Sequence, residues 1–170
     1  TVFFCGLMII SPEVLVIFAS KKYESGVYLI IPIVLATYFQ FLYTLSVNAE
    51  FYYKKTKIIA VNTVIAAGIN FGLNIMFIPH FGALAAAATT VIAYLVSFIF
   101  HYLYCKRIDR ELFPARMFLL PVCTVLGFTV FQYITMDYVI LRWIFGIFFL
   151  FAYLLCMYWK ERSLFHYLLK

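Results

Sequence analysis

The chain is predicted to be all-α, a polytopic membrane bundle of about six helices, and three observations support this. The first is a run of 48 residues between Lys57 and Lys106 without one Asp, Glu, Lys or Arg. The second is composition. Hydrophobic residues make up 66%, aromatics 21% and charged residues 12% of the chain, and the mean hydropathy of +1.02 exceeds what a soluble domain carries. The third is patterning: apolar runs such as Val27-Tyr28-Leu29-Ile30-Ile31 do not alternate. Lipid offers the backbone no hydrogen-bond partners, so only helices or a closed, alternating barrel can span it.

A helix rising about 1.5 Å per residue needs roughly 20 apolar residues to cross a hydrocarbon core of about 30 Å. Six segments fit, within one transmembrane domain over residues 1–170. The first, 1–19, carries Ser11-Pro12-Glu13 and ends before Lys21, Lys22 and Glu24. The second, 27–49, ends before Glu50, Lys54, Lys55 and Lys57. The uncharged run divides into 58–78 and 83–105 at Ile78-Pro79-His80-Phe81-Gly82, where proline and glycine suit the turn of a hairpin. Lys106-Arg107-Ile108-Asp109-Arg110-Glu111 and Arg116 precede the fifth, 117–136. Asp137 and Arg142 separate it from the sixth, 143–159, bracketed by Trp143 and Trp159 as interfacial aromatics and followed by Lys160-Glu161-Arg162 and Lys170.

Six crossings put alternate loops on opposite sides. One side then collects Lys54, Lys55, Lys57, Lys106, Arg107, Arg110, Arg116, Lys160, Arg162 and Lys170, ten of the thirteen cations, and the other Lys21, Lys22 and Arg142. Cytoplasmic loops carry the Lys/Arg excess, so both ends are expected in the cytoplasm. The formal charge of +6 is thereby read as topology rather than as a nucleic-acid surface. The opening residue is Thr1 rather than Met and the first helix lacks a cytosolic flank, which is read as the C-terminal piece of a longer chain.

Cys5, Cys105, Cys123 and Cys156 show no paired spacing and are read as reduced, space-filling thiols. His80, His101 and His166 are too dispersed for a metal site, so no metal or cofactor is expected; His101 is read as a hydrogen-bonded or solvated side chain near a helix end. The third span holds Asn62, Asn70 and Asn74 beside Gly68 and Gly72. Asn70 and Asn74, four apart, share a face. An amide facing lipid would be unsatisfied, so this face looks into protein or a water-filled cavity. Two roles are open for the asparagines: interhelical bonding, with Gly68 and Gly72 allowing close approach to the Ala83 and Ala87 stripe, or lining a substrate path. Glu13 is the one acid inside a span and is either an ion-coupling carboxylate or a group reaching surface water beside Pro12.

Four features in order carry a family resemblance: Ser11-Pro12-Glu13 followed by Lys22-Tyr23-Glu24-Ser25; Ser46-Val47-Asn48-Ala49-Glu50 followed by Lys54-Lys55-Thr56; Asn70-x-x-x-Asn74; and Ile78-Pro79-x-x-Gly82 running into Ala86-Ala87-Ala88-Thr89. Over about residues 10–105 the chain resembles the C-terminal portion of the bacterial polysaccharide-biosynthesis flippases. These are O-antigen and capsule translocases of the multidrug/oligosaccharidyl-lipid/polysaccharide exporter superfamily. The family pattern has a second glycine where this chain has Ala85. The resemblance implies movement of an undecaprenyl-diphosphate-linked oligosaccharide across the bilayer, with this chain forming much of a second helical lobe beside a missing N-terminal lobe and a polysaccharide polymerase as a further partner. It implies Lys54, Lys55 and Lys57 as cytosolic-rim cations for the diphosphate, although lysines there also serve as topology determinants. Two other readings are open: a multidrug or metabolite cation antiporter of the same superfamily, using Glu13 for coupling, and a membrane-embedded polysaccharide-assembly enzyme. The loops are too short for a soluble active site, and no cluster of acids, His and Ser or Cys converges, so the chain is read as a transporter and not an enzyme.

Overall fold

The computed structural model describes residues 1–18 and 26–160, and all of its regular elements there are helices. Lys21, Lys22, Glu24, Glu161, Arg162, His166 and Lys170 lie outside the described residues, as does the side chain of Lys160. The helices are α1 (Val2–Phe18), α2 (Val27–Tyr52), α3 (Thr56–Ile108), α4 (Ala115–Ile134) and α5 (Val139–Lys160). The last four are long and apolar enough to cross a membrane, and α1 is a shorter apolar helix of 17 residues. The chain is thus an all-α, multi-pass membrane bundle.

Helix α3 accounts for the difference between five helices and the six crossings expected from the sequence. Its 53 residues would reach about 80 Å if straight, far beyond any bilayer. Gly82 breaks it, with φ 60° and ψ −141°, a conformation essentially restricted to glycine. The arms, 56–81 and 83–108, run back against each other: Asn62 meets Ser97 and Asn74 meets Thr89, closing a hairpin around residues 80 and 81. The expected hairpin is therefore present, made by one backbone reversal rather than by a loop. Replacing Gly82 with alanine is expected to cost about 2 kcal/mol, the strain of a Cβ at this φ. A lower thermal midpoint of the detergent-solubilised protein would report it.

Most expected span ends move by only a few residues. The exception concerns charge: α5 starts at Val139, so Arg142 and Trp143 lie inside it instead of at its edge. At the other end of the bundle, α2 runs on through Glu50 to Tyr52, and Glu50 is a buried helical residue rather than a boundary charge. Lys54 follows with φ 56°, the left-handed position that usually closes a helix, and Lys55 N–H returns to the Glu50 carbonyl at 2.8 Å.

Helix α2 is the centre of the bundle, packing most extensively on α3 and also on α1 and α4, while α5 packs on α1. The apolar core joins Met8 and Ile9 of α1, Ile31, Tyr38 and Phe39 of α2, Phe98 of α3, and Phe118, Val125 and Phe128 of α4. Aromatic rings bridge the elements, Phe39 to Phe98 at 6.5 Å and Phe98 to Phe118 at 5.3 Å. Around this core the surface is apolar: Phe18, Val64, Phe71, Ile134, Ile140 and Phe148 are all exposed. In water so continuous an apolar exterior would drive aggregation, and in a bilayer it is the ordinary lipid-facing surface.

One packing expectation is corrected. Gly68 and Gly72 are exposed, and a Cβ at either would meet nothing within 4 Å, so they do not mediate close approach to the second arm. Of the alanine stripe, Ala85 and Ala87 are buried while Ala83 is exposed. The arms are held instead by their side-chain amides and hydroxyls.

Candidate functional site: a polar groove between α2 and the α3 hairpin

Polar side chains within the bundle gather along the seam between α2 and the two arms of α3. A cavity of about 330 Å3 opens there, lined by Tyr43 of α2, Thr63, Ala66, Ala67 and Asn70 of the first arm, and Thr90, Ala93, Tyr94 and Ser97 of the second. Alanines at 66, 67 and 93 leave the space, and the hydroxyls, phenols and amide supply its polarity. Thr63 and Thr90 each donate to a carbonyl one turn back, Ile59 at 2.8 Å and Ala86 at 2.7 Å, which keeps their oxygen lone pairs available as acceptors. Tyr43 and Tyr94 stack with centroids 5.9 Å apart, forming an aromatic wall. Among the described residues, no carboxylate, Lys or Arg lines this cavity.

The three asparagines of the first arm separate into different positions. Asn70 lines the cavity. Its Oδ1 accepts from Asn74 Nδ2 at 2.9 Å, and among the described residues its own amide N–H groups have no partner. Asn74 Oδ1 in turn accepts from the buried Thr89 hydroxyl at 2.5 Å, so Asn74 ties the arms together. Asn62 is fully buried, and its Nδ2 donates to Ser97 Oγ at 2.9 Å. The i, i+4 relation thus brings Asn70 and Asn74 together, whereas Asn62 forms a separate tie. Lys54, Lys55 and Lys57 are exposed beyond the end of α2 and outside the groove.

Glu13 lies toward the opposite end of the bundle, with its side chain held by α5. Arg142 Nη2 and Trp143 Nε1 both donate to Glu13 Oε1, the latter at 2.9 Å. Arg142 is 2% exposed and also donates to the Met136 carbonyl at 3.2 Å. Nearby, the Tyr28 hydroxyl donates to Asp137 Oδ1 at 2.5 Å, joining α2 to the turn before α5. The structure therefore gives Glu13 a cationic partner that the sequence reading did not assign, in a cluster that fastens α1 to α5.

A second buried pair also escaped that reading. Glu50 of α2 and His101 of the second arm are 0% and 1% exposed, and His101 Nδ1 lies 2.8 and 2.9 Å from the two carboxylate oxygens. Cys105 completes the group, its Sγ 3.4 Å from the Ser46 carbonyl and 4.0 Å from Glu50 Oε1. The imidazole stacks on Tyr43 with centroids 5.8 Å apart and planes 18° apart, placing the pair directly behind a wall of the groove. A signal was present: Ser46 and Glu50, and His101 and Cys105, are each four apart, so each helix presents a two-residue polar row. The adjacent lysines obscured it by making Glu50 look like one more boundary charge.

No protein-family model matches the sequence, and neither curated proteins nor solved structures give a match.

Proposed function

We propose that this chain is part of a membrane transporter and that the groove between α2 and the α3 hairpin contacts a neutral, hydroxyl-rich substrate during translocation. One observation carries the reading: the bundle places Thr63, Asn70, Thr90, Ser97 and two stacked tyrosines around one cavity. Uncharged donors and acceptors beside aromatic faces suit sugar hydroxyls and the apolar faces of sugar rings. The family resemblance points to the same substrate class, the oligosaccharide head of an undecaprenyl-diphosphate-linked repeat unit flipped between leaflets for O-antigen or capsule assembly. Under this reading the lysine-rich end faces the cytoplasm of the inner membrane, and Lys54, Lys55 and Lys57 attract the diphosphate at the rim. Rocking of this lobe against another would expose the groove to alternate sides.

The test is Asn70→Leu in the protein expressed in its bacterial host, with surface polysaccharide and membrane abundance measured together. Asn70 is preferable to Asn74 because it lines the cavity without joining the arms directly. Loss of most surface polysaccharide at unchanged abundance is expected. Normal polysaccharide would remove the groove from the path.

A further inference from the structure

We infer that Glu50 and His101 together form a proton-binding site that latches α2 to the second arm of α3 and couples the protonation state of that seam to the polar groove. The coupling rests on the transporter reading above; the latch does not. The two residues come from different helices, are sealed from their surroundings and meet through both carboxylate oxygens. Two apolar side chains would join these helices without the desolvation that a carboxylate and an imidazole incur, so the pair is a poor device for adhesion alone.

The surroundings define what the pair can hold. From α2, Tyr43 stacks on the imidazole and Ser46 contributes its carbonyl to Cys105; the Ser46 hydroxyl is buried and, among the described residues, unpartnered. From the second arm, the Cys105 thiol lies 4.0 Å from Glu50 Oε1, and Phe100 meets His101 edge-on. Lys57 on the first arm and Arg116 on α4 are exposed, and among the described residues no Lys or Arg bonds to either member. Charge neutrality inside the bundle therefore comes from the pair itself, which stays neutral while it holds one proton between the two helices, whichever partner carries it. Losing that proton leaves a net negative charge in a low-dielectric seam, and the seam relieves it by parting toward water. The route is short, since α2 ends at exposed Tyr52, two residues or roughly 3 Å of helix rise beyond Glu50.

Two contacts carry the change to the groove. Tyr43 lines the cavity while stacking on His101, and Ser97, one turn before His101, lines it while binding Asn62. A shift of His101 accompanying proton release thus moves two wall residues on opposite sides of the seam.

Cys105 is a built-in reporter because it is buried against the pair. The full protein would carry Cys5→Ala, Cys123→Ala and Cys156→Ala and be placed in lipid nanodiscs. Thiol labelling of Cys105 would be followed from about pH 5 to about pH 9. Each native rate is divided into the rate measured in SDS at the same pH, which cancels the reactivity of the thiol itself. Protection is expected to fall at least about tenfold through a single step as pH rises, reporting local opening. With Glu50→Gln, which cannot ionise yet still accepts from His101, protection should stay flat. A flat profile in the protein retaining Glu50 overturns the proposal with no acidic-residue variant needed, and so does an unchanged step with Glu50→Gln. Labelling requires no substrate, so failure here leaves the transport reading standing, and failure of the Asn70→Leu test leaves the latch standing.

Discussion

His101→Leu is expected to destabilise the protein by about 3 to 5 kcal/mol, because it leaves the Glu50 carboxylate enclosed between α2 and α3 without its partner. The informative comparison is the double substitution Glu50→Leu with His101→Leu. If the cost of the single change is an uncompensated buried charge, removing the charge as well should recover most of the loss, since two leucines fill the same seam. Thermal unfolding in detergent, followed for wild type, both single variants and the double, separates the cases. A double variant as unstable as the sum of the singles would mean that side-chain shape, not charge, dominates there.

Glu13→Leu is the second large effect, at about 3 kcal/mol, because Arg142 would keep its burial while losing its counter-charge. Its remaining protein partners would be the Met136 carbonyl and thioether, neither of which neutralises a guanidinium. Trp143 would also lose the acceptor for its indole N–H. Glu13→Gln should cost less than Glu13→Leu, since an amide oxygen still receives both donors. Unfolding midpoints equal to wild type for both variants would show that this contact contributes little to holding α1 on α5.

The helical architecture was legible because hydropathy in a bilayer depends on local composition: 48 uncharged residues dictate lipid wherever they pack. The hairpin was legible for a similarly local reason, as Pro79 and Gly82 limit the backbone within one turn. The Asn70 to Asn74 bond follows directly from helical spacing. Glu50 was not legible in the same way. Whether a carboxylate four residues before Lys54 points to water or into the bundle depends on His101, 51 positions away, and no local pattern contains that contact. Arg142 was misplaced for the same reason, its partner being Glu13 at the far end of the chain. Gly68 and Gly72 show the converse. A small-xxx-small step looks identical in sequence whether it is covered or open, and here it is open.

The single-residue bend at Gly82 has a consequence for biogenesis. Two apolar arms joined with almost no connecting polar chain are expected to enter the membrane as a pair, since the amides of the first find their hydroxyl partners on the second. Crossing parity depends on that unit staying whole: deleting either arm would reverse the orientation of α4 and α5 and move every cation after Ile108 to the other face of the bilayer.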